Sequence, residues 1–201
     1  MRTYTLKTLL PLFIVVSFVA WLLFFFGYEK YQLEQQLNAQ SRSNLAERLA
    51  TAQRHIENLL TEGKPAQAWA EVMHLNTVDN IDEVSILDPQ LTILIGSQRE
   101  WVGRSASDMH QPFDAALARE SLAKHKQILQ LTADGDFLLG MQPIQFPATR
   151  QQIRSEQEGL LFVKYNLQPR RGHIWRDLVN NSLIMVVSAV VLIVLFQWFL
   201  S

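Results

Sequence analysis

The sequence predicts an α+β domain in which a five-stranded antiparallel sheet lies behind a long N-terminal helix, with a transmembrane helix on either side. Three observations lead to this prediction. Two uncharged apolar runs, Leu9–Tyr28 and Ser182–Ser201, stand near the two ends of the chain. An apolar stripe with helical spacing follows the first run, and short segments with strand-like patterns fill most of the remainder.

The two apolar runs predict membrane anchoring. Each contains about 20 residues, which is the length that an α-helix needs to cross a bilayer. The first run is too long for the apolar core of a signal peptide, and no small-residue cleavage site follows it. We therefore predict a cytoplasmic N-terminus at 1–8, transmembrane helices at 9–28 and 178–201, and a periplasmic domain at 29–177. This places the chain in a bacterial inner membrane as a multi-pass protein, with Arg2 and Lys7 on the cytoplasmic side.

Composition excludes several function classes. The net charge of −1 does not favour a nucleic-acid partner, and the absence of cysteine rules out disulfides, thiolate metal sites and a cysteine nucleophile. The sequence contains no phosphate-binding glycine loop, no GxSxG and no HExxH. The five histidines are scattered, and no two of them are four residues apart. We therefore predict no catalytic residues, no metal site and no cofactor.

The first segment of the middle domain has a helical pattern. Between 29 and 62, apolar residues recur at spacings of four and three, which is typical of an amphipathic helix with heptad character. Two interpretations remain open: the stripe packs on its own domain, or it forms the seam of a homodimer. The predicted seam consists of Leu33, Leu37, Leu45, Leu49 and Ile56. A second helix begins at Pro65 and continues to Leu75.

The segments that follow predict five strands and one further helix. The turn signal Asp88-Pro89-Gln90 joins the first two strands, and Asp134-Gly135 joins the third and fourth. Ser107 or Asp108 is expected to cap the helix between these hairpins. The predicted strands are Asp82–Asp88, Leu91–Ile95, Gln127–Leu131, Asp136–Phe146 and Gly159–Leu167, and the predicted helix is Gln111–Ala123.

The last strand shows two distinct faces. Leu161, Val163, Tyr165 and Leu167 alternate with a second set that contains Leu160, Phe162, Lys164 and Asn166. The segment before this strand, 147–158, is polar and is predicted to be a loop.

Two segments carry a resemblance to a known family. VSILDPQLTILIGSQREWVGRSASDM, from Val84 to Met109, and DGDFLLGMQPI, from Asp134 to Ile144, resemble the single Cache domain, an extracytoplasmic PAS-like sensor of bacterial receptors. Asp88, Gly103 and Asp108 fall on the family's strand–turn–strand–loop pattern, and the resemblance covers about Ala39–Leu167. The first hairpin departs from the pattern, because Gln90-Leu91 replaces the usual glycine after Asp-Pro.

The resemblance implies a ligand pocket between the sheet and a lid formed by the loop and helix after the second strand. On the lid we single out Arg99, Trp101, Arg104 and His110, and on the strands Phe137, Met141 and Lys164. An arginine suits a small carboxylate, and Trp101 offers a flat apolar wall. The alternative is that the arginines are solvated and the apolar side chains are core. Lys164 needs a partner, for which Asp136 is a candidate, or an exit to solvent.

The predicted function is that of a membrane-anchored sensory input region, as found in transmembrane diguanylate cyclases, phosphodiesterases and histidine kinases. Its expected partners are the lipid bilayer, a second copy of the chain, and either a small, anionic molecule or a periplasmic protein. The output domain would follow Ser201. The alternative is a complete two-span protein that regulates another membrane protein by contact. A tethered periplasmic enzyme is a third reading, for which no residue set is visible.

Overall fold

The computed structural model describes residues 6–78, 80–108, 113–147 and 157–200. The chain divides into two compact units, one of Ala39–Pro169 and one that combines Met1–Asn38 with Arg170–Ser201. The helices are α1 (Leu6–Thr61), α2 (Pro65–Asn76), α3 (Ala115–Lys124) and α4 (Gln168–Leu200). The strands are β1 (Ile81–Leu87), β2 (Ile93–Gly96), β3 (Ile128–Leu131), β4 (Phe137–Phe146) and β5 (Gln157–Asn166).

The five strands form one antiparallel sheet in the order β2-β1-β5-β4-β3. The long N-terminal helix and the five-stranded antiparallel sheet confirm the predicted α+β class. β5, the last strand in the sequence, lies in the centre of the sheet, where its backbone pairs with β1 on one side and β4 on the other. Both faces of β5 are covered by other parts of the domain, which explains why the middle of the strand is apolar.

The side chains of the sheet separate into two apolar layers. One layer packs against α1 and α2, and we call this side of the sheet the helix face; it contains Leu161, Val163 and Tyr165 of β5. The other layer, here called the lid face, packs against α3 and the segment 91–106, and it contains Leu160 and Phe162. The predicted alternation along β5 is therefore confirmed.

Helix α1 approaches the helix face closely at a glycine. Leu45, Leu49 and Ile56 are all at most 2% exposed within this layer. A Cβ atom added at Gly140 of β4 would lie 2.6 Å from Leu49 Cδ1 and 3.3 Å from Leu45 Cδ2. The absence of a side chain at position 140 is therefore what lets the helix pack directly on the strand.

Three residues of the predicted dimer seam, Leu45, Leu49 and Ile56, are buried within this chain. Their side chains are covered by the sheet of the same chain, so the interpretation of the stripe as intrachain core holds for these three. Leu37 is only 7% exposed and Leu33 is half-buried. A seam at Leu33 and Leu37 stays a prediction.

The first hairpin contains a residue with an unusual backbone conformation. Leu91 has φ +65°, in the left-handed region where the sequence resemblance expects a glycine. This conformation costs about 1–2 kcal/mol for a residue with a Cβ atom. Leu91 is only 2% exposed on the lid face, and burial of a leucine contributes about 1.5–3 kcal/mol. Apolar burial thus offsets the strain, and Asp88 Oδ1 accepts a hydrogen bond from the Thr92 backbone N–H at 2.7 Å to fix the turn.

The prediction was right for the turn of the second hairpin and wrong for the N-cap of α3. Gly135 has φ +74°, and its N–H donates to the Thr132 carbonyl, which confirms the Asp134-Gly135 turn. The predicted cap of α3 was wrong. The helix begins at Ala115, and Asp114 Oδ1 accepts hydrogen bonds from the Ala116 and Leu117 N–H groups. Residues 109–112, on which the predicted start of this helix fell, lie outside the described residues.

Both apolar runs are helical, as parts of α1 and α4. Over the part of the chain that the structure describes, none of the helices combines the length and the apolar character that crossing a membrane requires. Within the terminal unit, the Trp175 ring of α4 lies 6.0 Å from the Phe26 ring, and the Lys30 ammonium lies 5.4 Å from its centroid.

We predict that Gly140→Ala lowers the free energy of unfolding by about 1–3 kcal/mol, because the new methyl group must displace Leu49 in a packed core. Chemical denaturation of the full chain measures this loss. Gly172→Ala is the control, since nothing lies within 4 Å of a Cβ at that helical position and alanine is expected to be neutral or slightly stabilising there. Equal stability of Gly140→Ala and the parent chain would contradict the close approach of α1.

Candidate functional site

The lid face carries a buried ion pair at the centre of the sheet. Glu83 of β1 and Lys164 of β5 are directly opposite each other, so their side chains leave the same side of the sheet. The Lys164 ammonium donates to Glu83 Oε1 at 3.1 Å, and each side chain is only 10% exposed. Both charges are therefore removed from water and depend on each other for compensation.

Aromatic and apolar groups surround this pair. The Lys164 Nζ atom lies 4.6 Å from the centroid of the Phe137 ring, within the range of a cation–π interaction. Leu139 is opposite Lys164 on β4, and Met141 is 1% exposed on the same face. Phe162 precedes Lys164 on this face by two residues, and the Phe113 ring packs edge-on against it at 5.2 Å.

A second buried polar group lies beside the pair. Ser85 follows Glu83 by two residues on β1 and is opposite Phe162, so it also faces the lid. Its side chain is 1% exposed, and its Oγ atom has no hydrogen-bond partner among the described residues. Buried hydroxyls without a partner are rare in folded proteins and call for an explanation.

The structure brings together the strand residues that the sequence singles out. Lys164 and Phe137 are in contact, and Met141 lies in the same apolar layer. The partner of Lys164 is Glu83, and the candidate Asp136 instead accepts a hydrogen bond from Gln168 Nε2 at 2.9 Å. Sequence reasoning missed Glu83 because it is 81 residues from Lys164, and only the pairing of β1 with β5 joins them.

Of the lid residues that the sequence singles out, one packs against the core and two are exposed. Trp101 is half-buried and packs against the lid-face layer, which agrees with its interpretation as core. Arg104 is exposed. Arg99 is also exposed, and its guanidinium lies 5.9 Å from the Trp69 ring of α2. His110 lies outside the described residues.

The described residues of the central domain line at least two cavities. One, of about 420 Å³, lies between the start of α3 and the β3–β4 hairpin, and its apolar wall is formed by Phe113, Leu131 and Leu139. The other, of about 500 Å³, lies between α1 and α2 and is lined by polar side chains that include Glu47, Arg48 and Glu71. The lining of the first cavity includes Leu139, which is opposite Lys164 in the β4–β5 pairing. Among the described residues, no group of three histidine, aspartate or glutamate side chains is arranged to hold a metal ion.

Comparison with known proteins gives few relatives. No protein-family model matches the chain, and no curated protein matches it. Among solved structures, it is similar to an extracellular ligand binding receptor from Desulfohalobium retbaense DSM5692, at 19% identity over 71% of this chain and 25% of the other, with a TM-score of 0.44. It is also similar to the sensor domain of the V. cholerae histidine kinase DctB, at 15% identity over 68% of this chain and 58% of that domain, with a TM-score of 0.32.

This chain thus spans a quarter of the first of these structures and less than two thirds of the second. At these TM-scores the likeness says nothing about function. The lid face itself is therefore the basis for a functional proposal.

We predict that Lys164→Met alone costs about 3–5 kcal/mol of stability, because it leaves the Glu83 carboxylate buried without a cation. The double variant Glu83→Leu/Lys164→Met is expected to be much closer to the parent chain, because two apolar side chains replace the pair. Denaturant unfolding of Glu83→Leu, Lys164→Met and the double variant measures the coupling free energy between the two side chains.

The exposed pair Lys124–Glu120 on α3 provides the control. Its side chains are 64% and 44% exposed, so we expect a coupling of less than about 1 kcal/mol there. Additive losses at Glu83 and Lys164, with the double variant the least stable of the set, would contradict mutual compensation of the two charges.

Proposed function

We propose that this chain is the sensory input region of a bacterial signalling receptor, in which a small ligand binds at the lid face and shifts the sheet against α1. The observation that carries the proposal is the buried Lys164–Glu83 pair. Such a pair contributes little to folding, because the cost of desolvation offsets the attraction. Ligand sites, by contrast, combine mostly apolar walls with a few fixed polar groups, which is the composition of this face.

Direct contacts between the sheet and α1 support the proposed shift of the sheet against α1. Gln142 Nε2 of β4 donates to Gln53 Oε1 of α1 at 2.7 Å, and the Gln145 N–H donates to Glu57 Oε1 at 2.9 Å. Gln53 Nε2 also donates to Glu57 Oε1 at 3.0 Å, so the bonds form one network. β4 carries Phe137 and Leu139 on its lid face, and a displacement of β4 there would act on α1 through this network and through Gly140. A ligand drives such a shift only if it binds the two arrangements with different affinity.

The ends of the chain support a membrane anchor. Large apolar side chains are exposed along α1, where Phe13, Leu23 and Phe24 are 71%, 70% and 74% exposed, and along α4, where Leu183 and Ile184 are each 64% exposed. Exposed large apolar side chains in such number favour contact with another apolar medium. Together with the lengths of the two uncharged runs, this favours a bilayer as the contact.

We also propose a topology and a set of partners. The central domain lies in the periplasm, and α4 connects it to a cytoplasmic output domain. The chain forms a homodimer whose seam passes through Leu33 and Leu37. The motion at α1 would then reach the output as a small shift between the helices of two protomers.

A regulator that acts by protein contact is the second candidate. Exposed apolar side chains near the edge strand β2 favour it, namely Leu94 at 45%, Val102 at 47% and Trp69 at 37% exposure. In that case a protein would dock at this edge, and the buried pair would have no ligand.

The test is a thermal melt of the purified full chain against a panel of small metabolites, with a parallel capture of periplasmic proteins. A ligand at a hundred times its Kd stabilises the folded state by about 2.7 kcal/mol. We expect at least one metabolite to raise the Tm of the parent chain and of Lys124→Met, but not that of Lys164→Met. A captured protein that binds equally well to Lys164→Met, with no metabolite raising the Tm, would favour the contact regulator and contradict ligand sensing.

A further inference from the structure

We propose that the Lys164–Glu83 pair selects a small zwitterion, a ligand with one anionic group for Lys164 and one cationic group for Glu83. This inference rests on the proposed function, in which the lid face binds a ligand, and it names the chemical class of that ligand. On binding, Lys164 and Glu83 would separate. Lys164 would pair with the anionic group of the ligand, and Glu83 with its cationic group.

Charge balance is the first argument. The pair is neutral as a unit, and each side chain is 10% exposed. A simple carboxylate that bound Lys164 would leave Glu83 buried without a cation, and a simple amine on Glu83 would leave Lys164 without an anion. Either outcome puts an uncompensated charge in the protein interior, which is strongly unfavourable. A zwitterion compensates both charges at once, so the lid face discriminates against ligands with a single charge.

The neighbouring groups are the second argument. The buried Ser85 hydroxyl lacks a partner among the described residues, and it faces the lid two residues from Glu83. A hydroxyl there can donate to the anionic group that Lys164 holds. The Phe137 ring, 4.6 Å from the Lys164 ammonium, retains that ammonium in place when Glu83 turns to the ligand. The site thus offers a cation, an anion, a hydroxyl and an aromatic wall.

A cavity that reaches the lid face at Leu139 is the third argument. Its volume of about 420 Å³ is within the usual range for small-molecule sites, and Phe113 and Leu139 form part of its wall. Leu139 is opposite Lys164 across the β4–β5 pairing.

The first test measures binding to the full chain with matched sets of probes by titration calorimetry. Glycine and alanine supply a zwitterion with one carbon between its charged groups, and γ-aminobutyrate supplies one with three. Acetate, propionate and butyrate lack the amine, and methylamine, ethylamine and propylamine lack the carboxylate. We expect at least one zwitterion to bind at least tenfold more tightly than its two singly charged analogues.

Tighter binding of a carboxylate than of every zwitterion would overturn the inference while supporting ligand sensing. Binding of none of the nine compounds would also overturn it, and the metabolite panel above would then decide the proposed function separately.

The second test changes the charges of the pair. Glu83→Gln leaves Lys164 as the only buried charge, so we expect it to prefer the carboxylate over the matching zwitterion. The exchanged variant, Glu83→Lys/Lys164→Glu, keeps one charge of each sign and is expected to keep the zwitterion preference. It also remains a test if Glu83→Gln fails to fold.

The control variants are Glu120→Gln and Lys124→Gln in the exposed pair of α3, which should leave the preference of the parent chain unchanged. An identical order of affinities in the parent, Glu83→Gln and exchanged chains would show that the pair has a structural role only, and would overturn the inference.

Discussion

β5 is hydrogen-bonded on both edges and covered on both faces, and this arrangement constrains the rest of the domain. Every side chain on the strand must fit either the helix face or the lid face, because successive residues point to opposite sides. Leu161, Val163 and Tyr165 satisfy the helix face with apolar surface. On the lid face the same alternation places Lys164 in the interior, where an ammonium persists only with an anion beside it. The position of Glu83 on β1 follows from that requirement.

In the proposed mechanism, the two faces of the sheet connect ligand binding to α1. On the lid face are the groups that a charged ligand would engage, and on the helix face are the contacts that hold α1. The route is short, since β4 contacts Lys164 through Phe137 on one face and Leu49 through Gly140 on the other. Packed cores of this kind respond to displacement by repacking between discrete arrangements, which is how small shifts at a site become larger movements of an element. In the proposed mechanism, the step from the lid face to α1 needs no feature beyond these contacts.

The sequence predicted the elements well and the site only in part. Periodicity identified the helices and strands, and the alternation along β5 placed each of its side chains on the correct face, because both depend on local spacing. The partner of a side chain across the sheet is not encoded locally: nothing near Lys164 in the sequence indicates Glu83, and Asp136 was only one candidate partner. The cap at Asp114 was missed because Ser107 and Asp108 have equally suitable side chains. Arg99 and Arg104 were assigned to the pocket by residue type, but the direction of a loop side chain depends on tertiary contacts that spacing does not encode.

The most direct test of this account is the ammonium ¹H–¹⁵N spectrum of the full chain at neutral pH. Ammonium protons of exposed lysines exchange rapidly with water, whereas those of a buried, hydrogen-bonded ammonium are protected. We expect one protected lysine signal that disappears in Lys164→Met, weakens in Glu83→Gln and remains in Lys124→Met. A spectrum in which the Lys164 ammonium exchanges as fast as that of Lys124 would mean that the pair is open to water, and it would contradict the central role of the buried Lys164–Glu83 contact.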